Sequence, residues 1–152
     1  MIQPAYRIAG AVVLADQLSK AWALNQLSGA GAQPLLPGLL ELQLVFNTGA
    51  AFSMLTGNTM LLGLVSAAVA VALVVWIQTA GPLRRLQWLA LGLLLGGAIG
   101  NGLDRWRLGQ VVDFLALVPI RFPVFNLADV AINLAVAALV LDWLRQHRVR
   151  PR

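Results

Sequence analysis

Three of the chain's six acidic residues, Asp104, Asp113 and Asp129, fall within the stretch Gly96 to Asn133. Asp113 sits in Val-Val-Asp-Phe and Asp129 in Phe-Asn-Leu-Ala-Asp. An acid in apolar company is costly to keep, so it usually has a task. Two carboxyl groups brought side by side cannot both ionise easily; repulsion and desolvation raise one pKa, and the pair shares a proton. The ionised member can then take a proton from water while the neutral member hydrogen-bonds a carbonyl. That is acid–base hydrolysis of a peptide bond. Paired acids also occur in proton and cation pathways, and spacing alone leaves a peptidase, a small conducting or carrier protein, and a purely structural network all open.

The elements that must position these groups are membrane elements. Of 152 residues, 59% are hydrophobic and 11% charged, and the mean hydropathy is +0.78. Soluble domains carry roughly a quarter charged residues. There is no cysteine, and the single histidine, His147, lies in a basic tail. A thiol nucleophile, a disulfide framework, a histidine triad and a zinc centre are therefore not expected; the reading needs no cofactor and no metal. The net charge of +5 does not point to nucleic acid. Arg7 precedes the first apolar run, Arg84 and Arg85 lie between two others, and Arg145, Arg148, Arg150 and Arg152 follow the last. This is the placement of cytoplasmic ends beside anionic membrane lipid.

Four spans are expected, at about 8–27, 60–77, 86–103 and 127–144, in one integral membrane domain covering 1–152, with both termini and the basic tail 145–152 cytoplasmic. A cleaved signal peptide, with Arg7 as its basic region and Ala30-Gly31-Ala32 as its cleavage site, is the weaker reading of the first segment, because Asp16 and Lys20 interrupt its apolar core. Spaced i, i+4, these two share a helix face. Trp22, Trp76, Trp88, Trp106 and Trp143 all fall near span ends, as interfacial rings do.

Residues 28–57 are broken by Gly29, Gly31, Pro34, Pro37 and Gly38. Leu40-Glu41-Leu42-Gln43-Leu44 then alternates like a half-buried strand. A small sheet at about 33–53, resting on the outer membrane surface, is expected. In the third span Gly92, Gly96 and Gly100 recur every four residues, a pattern that lets another helix come close. Residues 106–125 are open to a short helix or an extended piece. Asn126, Asp129 and Asn133 form one polar stripe on the fourth span, which must face the bundle interior or a wet cleft.

Several blocks in order resemble the lipoprotein signal peptidases (signal peptidase II), bacterial aspartyl membrane proteases. Asp16-Gln17-Leu18-Ser19-Lys20 looks like D-x-x-[ST]-K, and Asn47 to Phe52 matches N-x-G-x-A-F. Gly96 to Arg105 matches G-G-A-x-G-N-x-x-D-R; Val111 to Phe114 and Phe125 to Asp129 match V-x-D-F and F-N-x-A-D. The resemblance spans about residues 8–143. It implies an all-α membrane protein of four transmembrane helices, with a small extracytoplasmic β-cradle and a short surface helix between spans three and four. It implies a bacterial cytoplasmic-membrane enzyme that cuts a diacylglyceryl-modified prolipoprotein just before its lipidated cysteine, near the extracytoplasmic face. Asp113 and Asp129 would be the catalytic pair. Asn47, Gly97, Asn101, Arg105, Asn126 and Asn133 match positions that line the pocket or support that pair, and Asp16 and Lys20 match a pair that shapes it. The cyclic peptide globomycin is an inhibitor of this family.

Overall fold

The computed structural model describes residues 3–49 and 57–148. Its elements are α1 (Pro4–Leu27), β1 (Gln33–Leu36), β2 (Leu40–Asn47), α2 (Thr59–Thr79), α3 (Arg85–Leu108), β3 (Val111–Leu117) and α4 (Leu127–Arg148). Pro4 opens α1 because proline is tolerated in the first turn, where its missing N–H costs nothing. Gly109, at φ 68°, closes α3 in the left-handed conformation, its N–H donating to the Arg105 carbonyl. The third helix therefore runs past the expected end at Leu103, and Asp104 and Arg105 lie inside it.

Three described helices are long and apolar enough to cross a membrane: α2, α3 and residues Leu127–His147 of α4. Their outward residues suit lipid; Met60, Leu64, Val71 and Val75 of α2 are all exposed. Helix α3 is the hub, packed against α1, α2 and α4. At one end Ala5 and Ala9 of α1, Leu73 and Ile77 of α2, and Leu91 and Leu95 of α3 close a core.

The α1–α3 contact is made by the expected glycine line. A Cβ built on Gly92 would lie 2.7 Å from the Ala5 carbonyl oxygen, and one on Gly96 2.6 Å from Val12 Cβ and 2.9 Å from the Ala9 carbonyl oxygen. Backbone atoms cannot step aside, so Gly96→Ala is expected to wedge α1 from α3 and cost about 1–3 kcal/mol. Gly31→Ala, where nothing lies within 4 Å, is the control. Thermal unfolding of both variants in one detergent checks the difference.

The sheet is antiparallel in the order β1-β2-β3. As the alternation predicts, Leu40, Leu42 and Leu44 turn to one side and pack with Ala23, Leu27, Phe114 and Leu115. The expected sheet at 33–53 is described only as far as residue 49. Residues 50–53, and with them Ala50-Ala51-Phe52, lie outside the described residues, as do 149–152 of the tail. One expectation is corrected. The segment between α3 and α4 carries no surface helix among its residues; it holds β3. The cause is Val111-Val112, β-branched and buried, in register with Phe46 and Asn47. Pro119 and Pro123 further deny this segment a helix.

Candidate active site

Asp113 comes from the middle of β3 and Asp129 from the first turn of α4. Asn126 joins them. It precedes α4 and caps it reciprocally: its Oδ1 accepts the Asp129 N–H at 3.0 Å, and Asp129 Oδ2 accepts the Asn126 N–H at 3.1 Å. This is a capping box built from Asn and Asp. The Asn126 amide, fully buried, also donates to Asp113 Oδ1 at 2.6 Å. Both carboxyl groups are thus held by one residue.

Each has a second amide partner. Asn47 Nδ2 donates to Asp113 Oδ2 at 3.0 Å, and Asn101 Nδ2 donates to Asp129 Oδ1 at 2.8 Å. Asn47 reaches Asp113 because of a bulge. Leu42 pairs with Leu115 but Val45 with Asp113, so one extra β2 residue is accommodated between them. The extra residue changes the phase of the alternation, putting Val45 and Asn47 on Asp113's face. The Asn47 side chain is steadied in turn, its Oδ1 accepting the Gly49 N–H at 2.9 Å.

Burial pushes the Asp113 carboxyl up from 3.8 to about 6. The Asn47 hydrogen bond opposes this, the nearby Asp129 charge adds to it, and the Asn126 bond and the Lys20 charge oppose it again. The sign of the stability effect follows. An unfolded chain releases this proton near 3.8 and the folded protein near 6, so between those values the folded state holds more protons. Stability therefore falls as pH rises through that window, by at most about 3 kcal/mol for two pKa units. Asp113→Asn is expected to flatten the decline in Tm between pH 4 and pH 7. An unchanged pH slope in that variant would show that this carboxyl is not the group responsible.

Behind the pair lies a buried ionic cluster. Lys20 Nζ is 2.9 Å from both Asp16 Oδ2 and Asp104 Oδ2, and donates to Asn101 Oδ1 at 3.0 Å. Asp16 Oδ1 accepts the N–H of Ala128 in the first turn of α4 at 3.0 Å. Asp104 Oδ2 accepts the N–H of Val112, the residue before Asp113, at 3.1 Å. The pair on α1 is thus buried within the bundle. Asp16 anchors the helix start that carries Asp129, and Lys20 fixes the amide of Asn101. Gly100 makes room for this: a Cβ there would lie 2.6 Å from Asp16 Oδ2.

The other expected residues are distributed unequally. Arg105 reaches from α3 to the Gly49 carbonyl at 3.3 Å and to Ser66 Oγ at 3.4 Å, and its buried Nε has no partner. A Cβ on Gly97 would meet Ile132 at 2.6 Å and the Ala128 carbonyl at 2.8 Å, so this glycine lets α4, which carries Asp129, close on α3. Asn133 is exposed and donates to the Asp129 carbonyl one turn back. The polar stripe on α4 therefore runs from buried Asn126 through half-buried Asp129 to open Asn133.

Two contributors lacked an assigned role in the sequence reading. Asp104 and Gln17 each enter there only as members of a motif. Gln17 Nε2 donates to Asp104 Oδ1 at 3.0 Å. Continuing the helical period beyond Leu103 would have put Asp104 on the face of Asn101 and Gly100.

Among the described residues no three His, Cys, Asp or Glu side chains could hold a metal ion together. The arrangement offers two carboxyl groups, amide donors from Asn47, Asn101 and Asn126 to orient them, and the Arg105 guanidinium close enough to feel both charges.

The family described as Signal peptidase (SPase) II matches residues 8–145. The lipoprotein signal peptidase of Parasynechococcus marenigrum (strain WH8102) is 52% identical over 91% of this chain and 87% of that protein. That of Synechococcus sp. (strain RCC307) is 51% identical over 91% of this chain and 93% of that protein. A solved bacterial membrane enzyme superposes with a TM-score of 0.87 at 26% identity, covering 100% of this chain and 94% of that one. A second such structure gives 0.84 at 28% identity, covering 95% and 94%. With the motifs, the fold and the relatives in agreement over nearly the whole length, the chain belongs to the signal peptidase II family.

Proposed function

We propose that this chain is a membrane aspartic endopeptidase that removes the signal peptide from diacylglyceryl-modified prolipoproteins, cutting just before the lipidated cysteine. The observation that carries the reading is the Asn126 bridge: one buried residue bonded to the carboxyl groups of both Asp113 and Asp129. In the reaction the ionised member of the pair takes a proton from water as its oxygen attacks the scissile carbonyl carbon. The protonated member hydrogen-bonds the carbonyl oxygen. The tetrahedral intermediate collapses by breaking the C–N bond, and a carboxyl group delivers a proton to the departing cysteine nitrogen. Asn47 and Asn101 orient the pair, and Arg105 holds substrate backbone near Gly49.

Helix α1 serves as a fourth span. It is 24 residues long, about 36 Å at 1.5 Å per residue, and the two charged groups in its middle, Asp16 and Lys20, are buried against α3 while Arg7 stays exposed near its start. The chain is then a single integral domain of the bacterial cytoplasmic membrane with both termini cytoplasmic and the carboxyl pair near the extracytoplasmic face. The substrate's acyl chains stay in lipid while the peptide enters beside Asn133, where the polar stripe is open. Globomycin would compete for the same space.

Conduction of protons or cations by the same acids is not favoured, given the family. The test is cleavage of a synthetic diacylated lipobox peptide by the purified protein, with and without globomycin. A proteoliposome flux assay runs beside it. Globomycin-sensitive release of the signal peptide without flux is expected; flux without cleavage would reverse the assignment. Labelling of cysteines introduced at exposed loop positions, expected to place Arg84 and Gln43 on opposite sides, tests the orientation.

A further inference from the structure

A second polar site lies at the far end of α4 from Asp129, about 20 Å along the helix at 1.5 Å per residue. A cleft of about 670 Å3 opens between the start of α3 and the end of α4, lined by Arg84, Arg85 and Leu86 of the one and by Asp142, Arg145, Gln146 and His147 of the other. Asp142 is fully used. Arg84 grips it with Nε, at 2.8 Å, and with Nη2, while Gln146 Nε2 donates to it at 3.0 Å. Arg85 and Arg145 are exposed and have no ion pair among the described residues. Three arginines, Arg84, Arg85 and Arg145, line the cleft against the carboxylate of Asp142, so the cleft carries two positive charges in excess.

What lies beneath them distinguishes the ligand. Arg85 and Leu89 are one turn apart on one face of α3, and Arg145 and Leu141 one turn apart on one face of α4. Both leucines are exposed, as are neighbouring Val140 and Trp143. Each cation thus stands one turn beyond an apolar surface, with an interfacial tryptophan at the same level. A free phosphate would use only the upper half of this arrangement; a phospholipid would use both.

We propose that this cleft is a headgroup site for an anionic phospholipid, its phosphate held by Arg85 and Arg145 and its acyl chains lying along Leu89, Val140 and Leu141. The proposal does not depend on the carboxyl pair's activity. It differs from general attraction of a basic tail to an anionic surface, because it predicts one saturable site.

The experiment titrates phosphatidylglycerol or phosphatidylcholine of matched acyl chains into the purified full-length protein in neutral detergent, counting bound lipid by native mass spectrometry. Preferential, saturable binding of one phosphatidylglycerol is expected. Each arginine near an anionic headgroup is worth roughly fivefold, so Arg85→Gln with Arg145→Gln should weaken that binding about 30-fold, and either change alone about fivefold. The triple change Arg148→Gln, Arg150→Gln, Arg152→Gln should weaken it less than threefold. Peptide cleavage in neutral detergent should be unchanged in the paired variant, which also reports that it folds. Equal binding of the two lipids would overturn the proposal. So would a loss in the tail variant matching that of the cleft pair, which would mean diffuse surface charge. Displacement of the lipid by millimolar inorganic phosphate at constant ionic strength would overturn the lipid as the source.

Discussion

Asp113→Asn and Asp129→Asn are each expected to lower release of the signal peptide by on the order of 10^3-fold or more, while the protein still inserts and folds. The size of the loss reflects the sharing of one proton between two carboxyl groups. An asparagine can neither take water's proton nor supply one to the leaving nitrogen, so either change removes the same acid–base cycle. The double variant should consequently be little worse than either single one. Folding should survive because the neighbours tolerate the change. An amide at 113 can still accept one of the bonds from Asn47 and Asn126, and an amide at 129 can still cap the Asn126 N–H. Turnover of a diacylated peptide, measured beside the Tm of each variant, separates chemistry from stability. If either variant kept turnover within tenfold of the parent, its residue would have to leave the proposed pair.

The second large effect is expected at Lys20. Lys20→Met removes the cation that is ion-paired with both Asp16 and Asp104 inside the bundle and leaves Asn101 Oδ1 without its ammonium donor. Breaking a buried pair from one side costs about 3–5 kcal/mol, because the remaining charge has no solvent. Here two acids are stranded, and each anchors a backbone N–H of the active-site frame, at Ala128 and Val112. The variant should unfold at markedly lower temperature, and its surviving folded fraction should cleave slowly. Adding Asp104→Asn to Lys20→Met should recover part of the stability, since one stranded charge is removed and the amide can still accept from Val112. A Tm unchanged by Lys20→Met would mean that the cluster contributes far less than its burial suggests. Detergent unfolding curves of the three proteins decide the matter.

These two effects have different origins, and the sequence exposes them unequally. Composition and apolar run lengths already specify membrane helices, because lipid tolerates only backbones that satisfy their own hydrogen bonds. The glycine line at 92, 96 and 100 is legible for a similar reason: a helix period places the three on one face, and small residues there serve close approach. The alternation of Leu40 to Leu44 is legible as a strand because side chains change face at every residue. The apolar company of Asp113 and Asp129 marks them as an unusual pair of acids, and the resemblance gives that pair its expected catalytic role.

Only the tertiary structure decided what surrounds them. Whether 111–117 is helix or strand was open, since a short apolar run fits both, and pairing with β2 resolved it. The bulge between Leu42 and Val45, which turns Asn47 toward Asp113, leaves no mark in a local pattern. The contact of Lys20 with Asp104 and Asn101 joins residues more than eighty positions apart. Such contacts depend on how α1 and α3 are aligned, and a periodic pattern reports the face of a helix but not its partner. The residue types were readable in one dimension because chemistry is local. Their bonding was not, because a buried charge finds its partners through packing.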